Sequence, residues 1–561
     1  MGRNATTAAR AVVEALTAEG VEYVFGLVGS HVLDIYDALA DAPQIRHIAA
    51  KHENSAAFMA EAYGRLTGRP GVVLVTAGPG ALNSISGVAQ AYQNGTPMIH
   101  LSGTVPLTSG ASEFHGTDQP DFLAKTFAEV TKWSVQVTRP QEIPDVLARA
   151  FQMAASGRPG PVHVEVPFDV LRMSAEAIPS YSRVEMVEPG VDAAAIKQLS
   201  SQLRRAQRPV ICAGPDVLTR RVTAQLAALA QRLSAPIIVG GDALGAFPET
   251  HPLHAGAMIA YRLTPAMAGW IKASDCLLLV GMRAGSRDDK AIEAAVESPA
   301  IRVPCDSGTL EALAAELNGI AQGNHVGTVA ALEEERRRLR AALQAVIEPH
   351  RRSRPIHFGV AMEALATQLD ARAITVTGTG NHREWARWFL PVRESISQLP
   401  EGLWGTMGWE LSGAIAAKLV HPERQVVAVT GDGSVLMAAG DLTTAVESGA
   451  NILIVIMNDA RYGMIEREQQ CKYGRTIGVH LQPTDFAVWA RACGASGLRV
   501  EQPEELEAAF HDALQQTRRT PVVVDIVCGA HYPCPDILGL SARRPSVLSR
   551  VTRRVQAVLA R

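Results

Sequence analysis

Two short acidic loops carry the residue types with the clearest chemistry in this sequence. The first loop, Gly431-Asp432-Gly433-Ser434, follows the apolar run 426–429, and the second, Asn458-Asp459, follows the apolar run 452–457. Glycines let a backbone approach a phosphate closely, and a helix that begins near Ser434 points its amide groups at an anion. Proteins hold Mg²⁺ with one or two carboxylates plus phosphate oxygens. The spacing therefore predicts a site for a diphosphate and its metal ion.

The elements around the loops predict how the two aspartates come together. Each loop follows a β-rich run, and a helix-like segment separates the runs, which makes a strand–loop–helix–strand unit. In a parallel α/β sheet both loops lie on the same carboxyl edge, where ligands bind. Helix and strand also alternate in two earlier blocks of the chain. An irregular stretch at 172–190 and a charged helical connector within 321–354 separate the blocks.

The chain of 561 residues is too long for one hydrophobic core. We predict an α/β protein with three doubly wound domains and mainly parallel sheets. The first domain spans 1–180, the central domain 190–345 and the third 355–535, and a tail or lid follows at 536–561. The tail is rich in arginine. It fits either a lid over an anionic substrate or a solvated C-terminal helix.

Composition and charge exclude several classes of protein. The formal net charge is −3, and no basic region is interleaved with aromatic residues, so nucleic acid is not an expected partner. No apolar run approaches the roughly 18 residues that a membrane span needs, and the N-terminus lacks the apolar core of a signal peptide. The seven cysteines are scattered without metal-ligand pairs and are expected to be reduced. We therefore predict a cytoplasmic protein that does not bind membranes.

The motif GDG, the gap after it, Asn458-Asp459 and the following YGMI resemble the cofactor motif of thiamine diphosphate-dependent enzymes. That family usually has Asn-Asn at the second loop, so Asp459 adds a negative charge here. A second set of motifs, VFGLVG, KHE and VTAGPG, is similar to the pyrimidine-binding domain of the same family. The resemblance implies that Glu53 bonds N1′ of the aminopyrimidine and promotes loss of the C2 proton. Taken alone, Glu53 is a first-turn glutamate that favours the helix dipole.

The resemblance implies further contacts with thiamine diphosphate and Mg²⁺. Asn381 and His382 stand where family members contact the diphosphate. Gly405 would give a carbonyl to the 4′-amino group, and Met407 would support the bent cofactor, although without the resemblance it is a routine core residue. The cofactor set that we predict is Glu53, Asn381, His382, Gly405, Met407, Gly431, Asp432, Gly433, Ser434, Asp459, Tyr462, Gly463, Met464 and Ile465. The predicted metal set is Asp432, Asp459 and Arg461.

Four further side chains are candidates for catalysis beside Glu53. His31 follows a glycine turn at a strand end. It is either an active-site residue or an ordinary polar residue at the N-terminus of a helix. His115 and Gln119 lie in a segment expected to cross the cleft, and a solvated loop is the alternative. Acetolactate synthases and benzaldehyde lyases have a glutamine near Gln119. Glu466 lies one residue out of register with the proton-relay glutamate of pyruvate-type decarboxylases.

The central domain is expected to be structural. In acetolactate synthases the equivalent domain carries FAD. Here FPETHPLHAGAM is closer to benzoylformate decarboxylase, a branch without flavin, and no clean G-x-G-x-x-G motif occurs. We therefore do not expect FAD.

The resemblance covers nearly the whole chain. It implies pyrimidine-binding, central and diphosphate-binding domains with six-stranded sheets. It also implies a homodimer or homotetramer in which Glu53 of one subunit meets the diphosphate site of another. The implied activity is a carboligase or lyase similar to acetolactate synthase, which forms an enamine from a 2-keto acid such as pyruvate and transfers the acyl unit to a carbonyl acceptor.

Three alternatives remain. A simple 2-keto acid decarboxylase is favoured by Glu466, His115 and the benzoylformate-like central domain. A 2-hydroxyacyl-CoA lyase fits the arginine-rich tail. A non-catalytic relative that retains the fold is the third alternative, and the intact Glu53, Asp432 and Asp459 argue against it.

Overall fold

Three parallel β-sheets with helices on both faces form the protein. The computed structural model describes residues 7–108, 114–119, 121–173, 178–184, 190–258, 262–296, 300–319 and 325–529. The tail or lid predicted at 536–561 lies outside these residues. The parallel strands are buried, and their apolar side chains point toward both faces of each sheet. Each face therefore packs in a hydrophobic cluster. The predicted α/β fold class is confirmed.

The N-terminal sheet has six strands in the order β2-β1-β3-β4-β6-β5. Its strands are β1 Tyr23–Gly26, β2 Arg46–Ala49, β3 Gly71–Val75, β4 Met98–Thr104, β5 Trp133–Gln136 and β6 Pro161–Pro167. Its helices are α1 Ala8–Ala18, α2 Leu33–Ala40, α3 Glu53–Thr67, α4 Pro79–Asn83, α5 Ile85–Asn94, α6 Phe122–Ala128, α7 Ile143–Ala155 and α8 Phe168–Arg172.

The central sheet has five strands among the described residues, so the expectation of six strands is wrong for this domain. The order is β11-β10-β7-β8-β9. Its strands are β7 Pro209–Ala213, β8 Ile237–Val239, β9 His254–Ala257, β10 Cys276–Val280 and β11 Ile301–Val303. Its helices are α9 Ala193–Leu203, α10 Asp216–Thr219, α11 Thr223–Leu233, α12 Pro265–Ala273, α13 Arg287–Glu293 and α14 Ser307–Glu316. After β11 the chain leaves the sheet through α14 and the long connector α15, His325–Ile347, instead of adding a strand.

The C-terminal sheet has the order β13-β12-β14-β15-β17-β16, which repeats the strand order of the N-terminal sheet. Its strands are β12 Ile374–Thr377, β13 Gln398–Pro400, β14 Val426–Gly431, β15 Leu453–Asn458, β16 Ser496–Val500 and β17 Val522–Val527. Its helices are α16 Phe358–Gln368, α17 Asn381–Phe389, α18 Trp409–Val420, α19 Asp432–Val435, α20 Asp441–Ser448, α21 Gly463–Tyr473, α22 Phe486–Ala492 and α23 Leu506–Gln516.

The N- and C-terminal domains share one hydrophobic core. Helix α3 packs against α18, and Phe58 meets Trp409 edge to face with ring centroids 6.4 Å apart. Polar contacts continue the interface, since Lys51 pairs with Glu447 at 2.5 Å. The central domain has hydrophobic clusters of its own. The two outer domains are therefore joined through a core that the central domain does not share.

Candidate active site

The two acidic loops lie side by side at the carboxyl edge of the C-terminal sheet. Strand β14 ends at Gly431 and β15 ends at Asn458, and Gly431 pairs with Met457 in the parallel ladder. Helix α19 begins at Asp432 and α21 begins at Gly463. Both loops thus run from a strand end into a helix start on one edge of the sheet, which is where ligands bind in this kind of fold.

Backbone amides from both loops hold the Asp432 carboxylate. The amide of Gly433 donates to its Oδ1 over 2.8 Å, and the amides of Ala460 and Arg461 donate to the same carboxylate. Ala460 has a φ of 54°, in the left-handed region that residues with a Cβ rarely adopt. Strain of this kind persists where the surrounding structure requires it. Here it goes with a turn that directs two amides of the second loop at the aspartate of the first.

Burial and mutual repulsion set the charges of the two aspartates. Asp432 is 4% exposed, and burial raises its pKa, although the amide hydrogen bonds oppose this shift. The pKa of Asp459 rises to about 8, first because of burial and then because of repulsion from Asp432. Two carboxylates that share a site without a counterion retain a proton. A divalent cation can replace that proton, so this pair of donors fits Mg²⁺.

Two glycines allow the loops to pack closely around this pair. A Cβ on Gly433 would lie 2.5 Å from the ring of Tyr462. A Cβ on Gly463 would lie 2.7 Å from the side-chain nitrogen of Asn381 and 2.9 Å from Oδ2 of Asp459. The structure therefore brings together five residues that we assigned to the cofactor from three separate parts of the sequence.

A buried glutamate that the sequence reasoning missed lies behind the first glycine loop. Glu410 is 1% exposed and accepts hydrogen bonds from Ser434 Oγ at 2.8 and 3.0 Å and from His382 Nε2 at 3.2 Å. On the other side of the ring, Nδ1 of His382 lies 3.1 Å from the position of a Cβ on Gly431. The available signal was a single acidic residue in the first turn of the apolar helix WELSGAIAAKLV.

The start of α21 forms the outer side of the site. Arg461 donates to both carboxylate oxygens of Glu466 at 3.0 Å, and its Nε donates to the carbonyl of Asp459 at 3.1 Å. The guanidinium is therefore bonded to Glu466. Arg461 can coordinate a metal ion through its backbone carbonyl. Met464 is partly buried, whereas Ile465 is exposed in the single chain.

The segment with Gly405 and Met407 lies against the N-terminal domain of the same chain. Trp404 Nε1 donates to Ser86 Oγ over 3.1 Å, and Thr406 Oγ1 donates to Gln90 Oε1 over 2.6 Å. Gly405 adopts a φ of 69°, which suits a residue without a Cβ. Gly405 is exposed and Met407 is partly buried.

Glu53 lies at the carboxyl edge of the N-terminal sheet. It is the first residue of α3, is 8% exposed, and accepts a hydrogen bond from Asn83 Nδ2 at 3.0 Å. A Cβ on Gly80 would lie 3.3 Å from its Oε1, so the first turn of α4 covers the carboxylate. The first turn of a helix also favours a negative charge. The carboxylate is thus buried, oriented and placed at a sheet edge of the same kind as the one with the aspartates.

The structure brings His31 and His115 together. The two imidazole rings have centroids 5.3 Å apart, and the amide of His31 donates to Thr76 Oγ1 at 3.3 Å. His115 has a φ of 68°, and its Nδ1 is buried without a hydrogen-bond partner in the part of the chain that the structure describes. Gln119 is exposed and accepts from Lys125 Nζ at 3.4 Å.

The two halves of the predicted site lie at the edges of two different sheets of the chain. Among the described residues, no hydrogen bond or ion pair joins Glu53 to Asp432 or Asp459. Large apolar side chains are exposed close to the aspartate loops, among them Leu436, Met437 and Ile465.

The metal chemistry available to the described residues is limited. They contain no group of three or more His, Cys, Asp or Glu side chains that could hold an ion. A site with two carboxylates suits a Mg²⁺ ion that takes its remaining oxygens from a diphosphate, a carbonyl and water.

None of the described helices is long and apolar enough to cross a membrane. Fold and site together define an α/β protein with two acidic glycine loops at one sheet edge, whose donors fit a metal-bound diphosphate, and a buried glutamate at the matching edge of another sheet.

Comparisons with known proteins identify the family. Models of the thiamine pyrophosphate enzymes match the N-terminal TPP binding domain at residues 6–125, the central domain at 196–318 and the C-terminal TPP binding domain at 378–526. The chain is 32% identical over 542 residues to the acetolactate synthase large subunit of Haemophilus influenzae, covering 92% of this chain and 94% of that protein. It is also 32% identical over 561 residues to the acetolactate synthase isozyme 3 large subunit of Escherichia coli, covering 94% and 96%.

The chain belongs to the thiamine pyrophosphate enzyme family. It is a thiamine diphosphate-dependent enzyme that forms or cleaves C–C bonds and is similar to acetolactate synthase. The predicted family, fold class and type of reaction are thus confirmed.

Proposed function

We propose that the enzyme uses thiamine diphosphate and Mg²⁺ to transfer the acyl unit of a 2-keto acid such as pyruvate to a second carbonyl compound. The observation that supports this most directly is the convergence of Asp432, Asp459, Gly433 and Gly463 at one sheet edge. The names of the relatives, acetolactate synthase large subunits, support a keto acid as the donor.

The residues at the C-terminal edge bind and orient the cofactor. Asp432 and Asp459, with the carbonyl of Arg461, hold the metal. The amides at the start of α19 and the side chain of Asn381 hold the diphosphate, and His382, which bonds Glu410 through Nε2, supports the loops from behind. When bound, the cofactor supplies the electron sink that lets a carbonyl carbon act as a nucleophile. Gly405, Met407, Tyr462, Met464 and Ile465 complete the predicted set by packing around the remainder of the cofactor.

The residues at the N-terminal edge manage protons and substrate. Glu53 gives and takes a proton at its buried carboxylate, which is held by Asn83. His31 and His115, whose rings lie 5.3 Å apart, are the groups of this edge that can donate to a substrate oxygen. Gln119 remains a candidate for a substrate contact. Glu466 forms an ion pair with Arg461. Its main role is therefore to orient the second loop, and a proton relay is its secondary role.

We propose a homodimer or homotetramer in which two chains complete each site. The exposed Leu436, Met437 and Ile465 beside the aspartate loops support this assembly. A single chain would leave this apolar surface in water, and a second copy would cover it.

The central domain supports the other two and is proposed to bind no FAD. At the carboxyl edge of its sheet the side chains of this domain contact one another and their own backbone. Asp288 accepts from the amide of Gly241 at 2.7 Å, and Arg283 contacts Asp216 at 3.4 Å. We retain the domain divisions 1–180, 190–345 and 355–535 and a cytoplasmic location as proposals.

Incubation of the purified protein with thiamine diphosphate, Mg²⁺ and pyruvate, with and without an added aldehyde, tests the activity by mass spectrometry. A new C–C product with release of CO₂ is the expected result. Free aldehyde as the sole product would replace the carboligase with a 2-keto acid decarboxylase. Bound cofactor without turnover would reject pyruvate as the donor and direct the assay to acyl-CoA substrates.

A further inference from the structure

Glu410 is a buried acidic side chain behind the first glycine loop. It lies in the first turn of α18, where its neighbours in sequence are apolar or small. Its Oε1 accepts from Ser434 Oγ at 2.8 Å, from His382 Nε2 at 3.2 Å and from Thr430 Oγ1 at 3.3 Å. A buried carboxylate is costly unless such donors surround it, so its presence here needs an explanation.

The contacts of Glu410 join four elements that meet at the site. Thr430 belongs to the end of β14, Ser434 to α19 and His382 to the first turn of α17. The fourth is the loop after β12, where a Cβ on Gly378 would lie 2.1 Å from the carboxyl carbon of Glu410. The carboxylate can therefore occupy this place because residue 378 is glycine.

The hydrogen bonds also determine which groups face the diphosphate. Ser434 Oγ accepts from the amide of Gly408 at 2.8 Å and donates to Glu410, so its hydroxyl is used on the protein side. Because a carboxylate can only accept, the Nε2 of His382 carries the proton that it donates to Glu410. The ring is thereby fixed with its Nδ1 beside the backbone of Gly431.

We propose that Glu410 is a positioning residue for diphosphate binding, acting through Ser434 and His382. This proposal rests on the proposed function, because it assigns the four elements around Glu410 to a thiamine diphosphate site. Glu410 itself lies behind the loops and does not touch the ligand. It fixes the start of α19, so that the backbone amides and not the hydroxyl of Ser434 meet the diphosphate.

Isothermal titration of the apo-protein with thiamine diphosphate in excess Mg²⁺ tests the proposal. Glu410→Gln preserves the shape of the side chain but presents a donor where His382 or Ser434 needs an acceptor. We expect its affinity to fall roughly 10- to 100-fold, the range for a lost hydrogen bond to a charged group. Glu384→Gln is the matched control, since Glu384 is also buried in the C-terminal domain but bonds Arg383. Its affinity should equal that of the wild type.

A double-mutant cycle separates positioning from a general loss of structure. If Glu410 acts through Ser434, then Ser434→Ala and Glu410→Gln weaken binding by similar factors, and the double variant is little weaker than either. Factors that multiply in the double variant, or unchanged affinity in Glu410→Gln, would overturn the proposal. A wild-type protein that does not bind thiamine diphosphate would instead overturn the proposed function.

Discussion

Replacing Asp459 with asparagine separates the charge of this residue from its shape. The pKa of Asp459 is raised from 3.8 to about 8 by burial and by Asp432. In the metal-free protein the folded state therefore binds a proton that the unfolded state releases above pH 3.8. Its contribution to stability is complete below pH 3.8 and is lost as the pH rises to about 8.

The size of the change in the free energy of unfolding follows from the pH range between the unfolded and folded pKa values of Asp459. At pH 7 the shift acts over about three pH units, and at about 1.4 kcal/mol per unit this amounts to at most roughly 4 kcal/mol. Asp459→Asn mimics the protonated carboxyl. We expect the variant to match the wild type near pH 4 and to exceed its stability near pH 7, in both cases without metal.

Unfolding in EDTA, followed by calorimetry from pH 4 to pH 8, measures this difference as a change in apparent Tm. With Mg²⁺ added, the affinity of the wild type for the metal should rise about tenfold per pH unit up to pH 8, because the ion displaces one proton. The Asn variant should bind Mg²⁺ more weakly and without this slope.

Asp525→Asn is the control for loss of a paired carboxylate: burial raises the pKa of Asp525 too, but this carboxylate accepts from Asn458 at 2.8 Å and from Arg499 at 2.5 Å, which oppose the shift. Losing this pair should destabilise the protein at pH 7. Equal pH dependence of Tm in the wild type and Asp459→Asn would refute the idea that the two aspartates retain a proton.

Three further predictions concern the rest of the molecule. Glu53→Gln should lower turnover at least about 100-fold with an unchanged Tm, since proton transfer is lost while the shape stays, and normal turnover would reject the assignment. Gly433→Ala should weaken cofactor binding about tenfold or more, because the added Cβ would lie 2.5 Å from the Tyr462 ring; titration of the cofactor decides this. Burial lowers the pKa of His100 to about 3 and that of His163 well below 6.5, so stability is lost as the pH falls below 6.5, by about 2 kcal/mol at pH 5 for His100 alone. His100→Gln should therefore show a shallower loss of Tm between pH 7 and pH 5, and an unchanged slope would contradict the burial of a neutral ring.

The fold could be predicted from the sequence wherever a local pattern of residues determines it. The apolar runs before Gly431 and Asn458 are strands, and the turns after them meet at one edge, because in a parallel sheet local order determines which loops meet. The number of strands in the central sheet could not be predicted in this way. Whether a chain adds another strand or leaves through a helix such as α15 depends on packing between domains.

The candidate site was accessible in part for the same reason. Asp432, Asp459 and Glu53 were identified by motif and spacing. Glu410 was not, since an acidic residue in the first turn of a helix is ordinary in sequence and its partners lie 20 or more residues away in the chain. The pairing of Arg461 with Glu466 also depends on how the loop turns at Ala460.

The core shared by α3 and α18 has a consequence for how the molecule comes apart. Phe58 and Trp409 tie the first and last thirds of the chain into one cooperative unit, whereas the middle third has its own clusters. Cooperative units follow shared packing and not position along the polypeptide. Hydrogen bonds such as those of Arg283 to the carbonyls of Gln93 and Asn94 hold the middle of the chain to this unit. We therefore expect the middle to open before the two ends separate, and partial proteolysis to leave a nicked but associated pair of outer fragments.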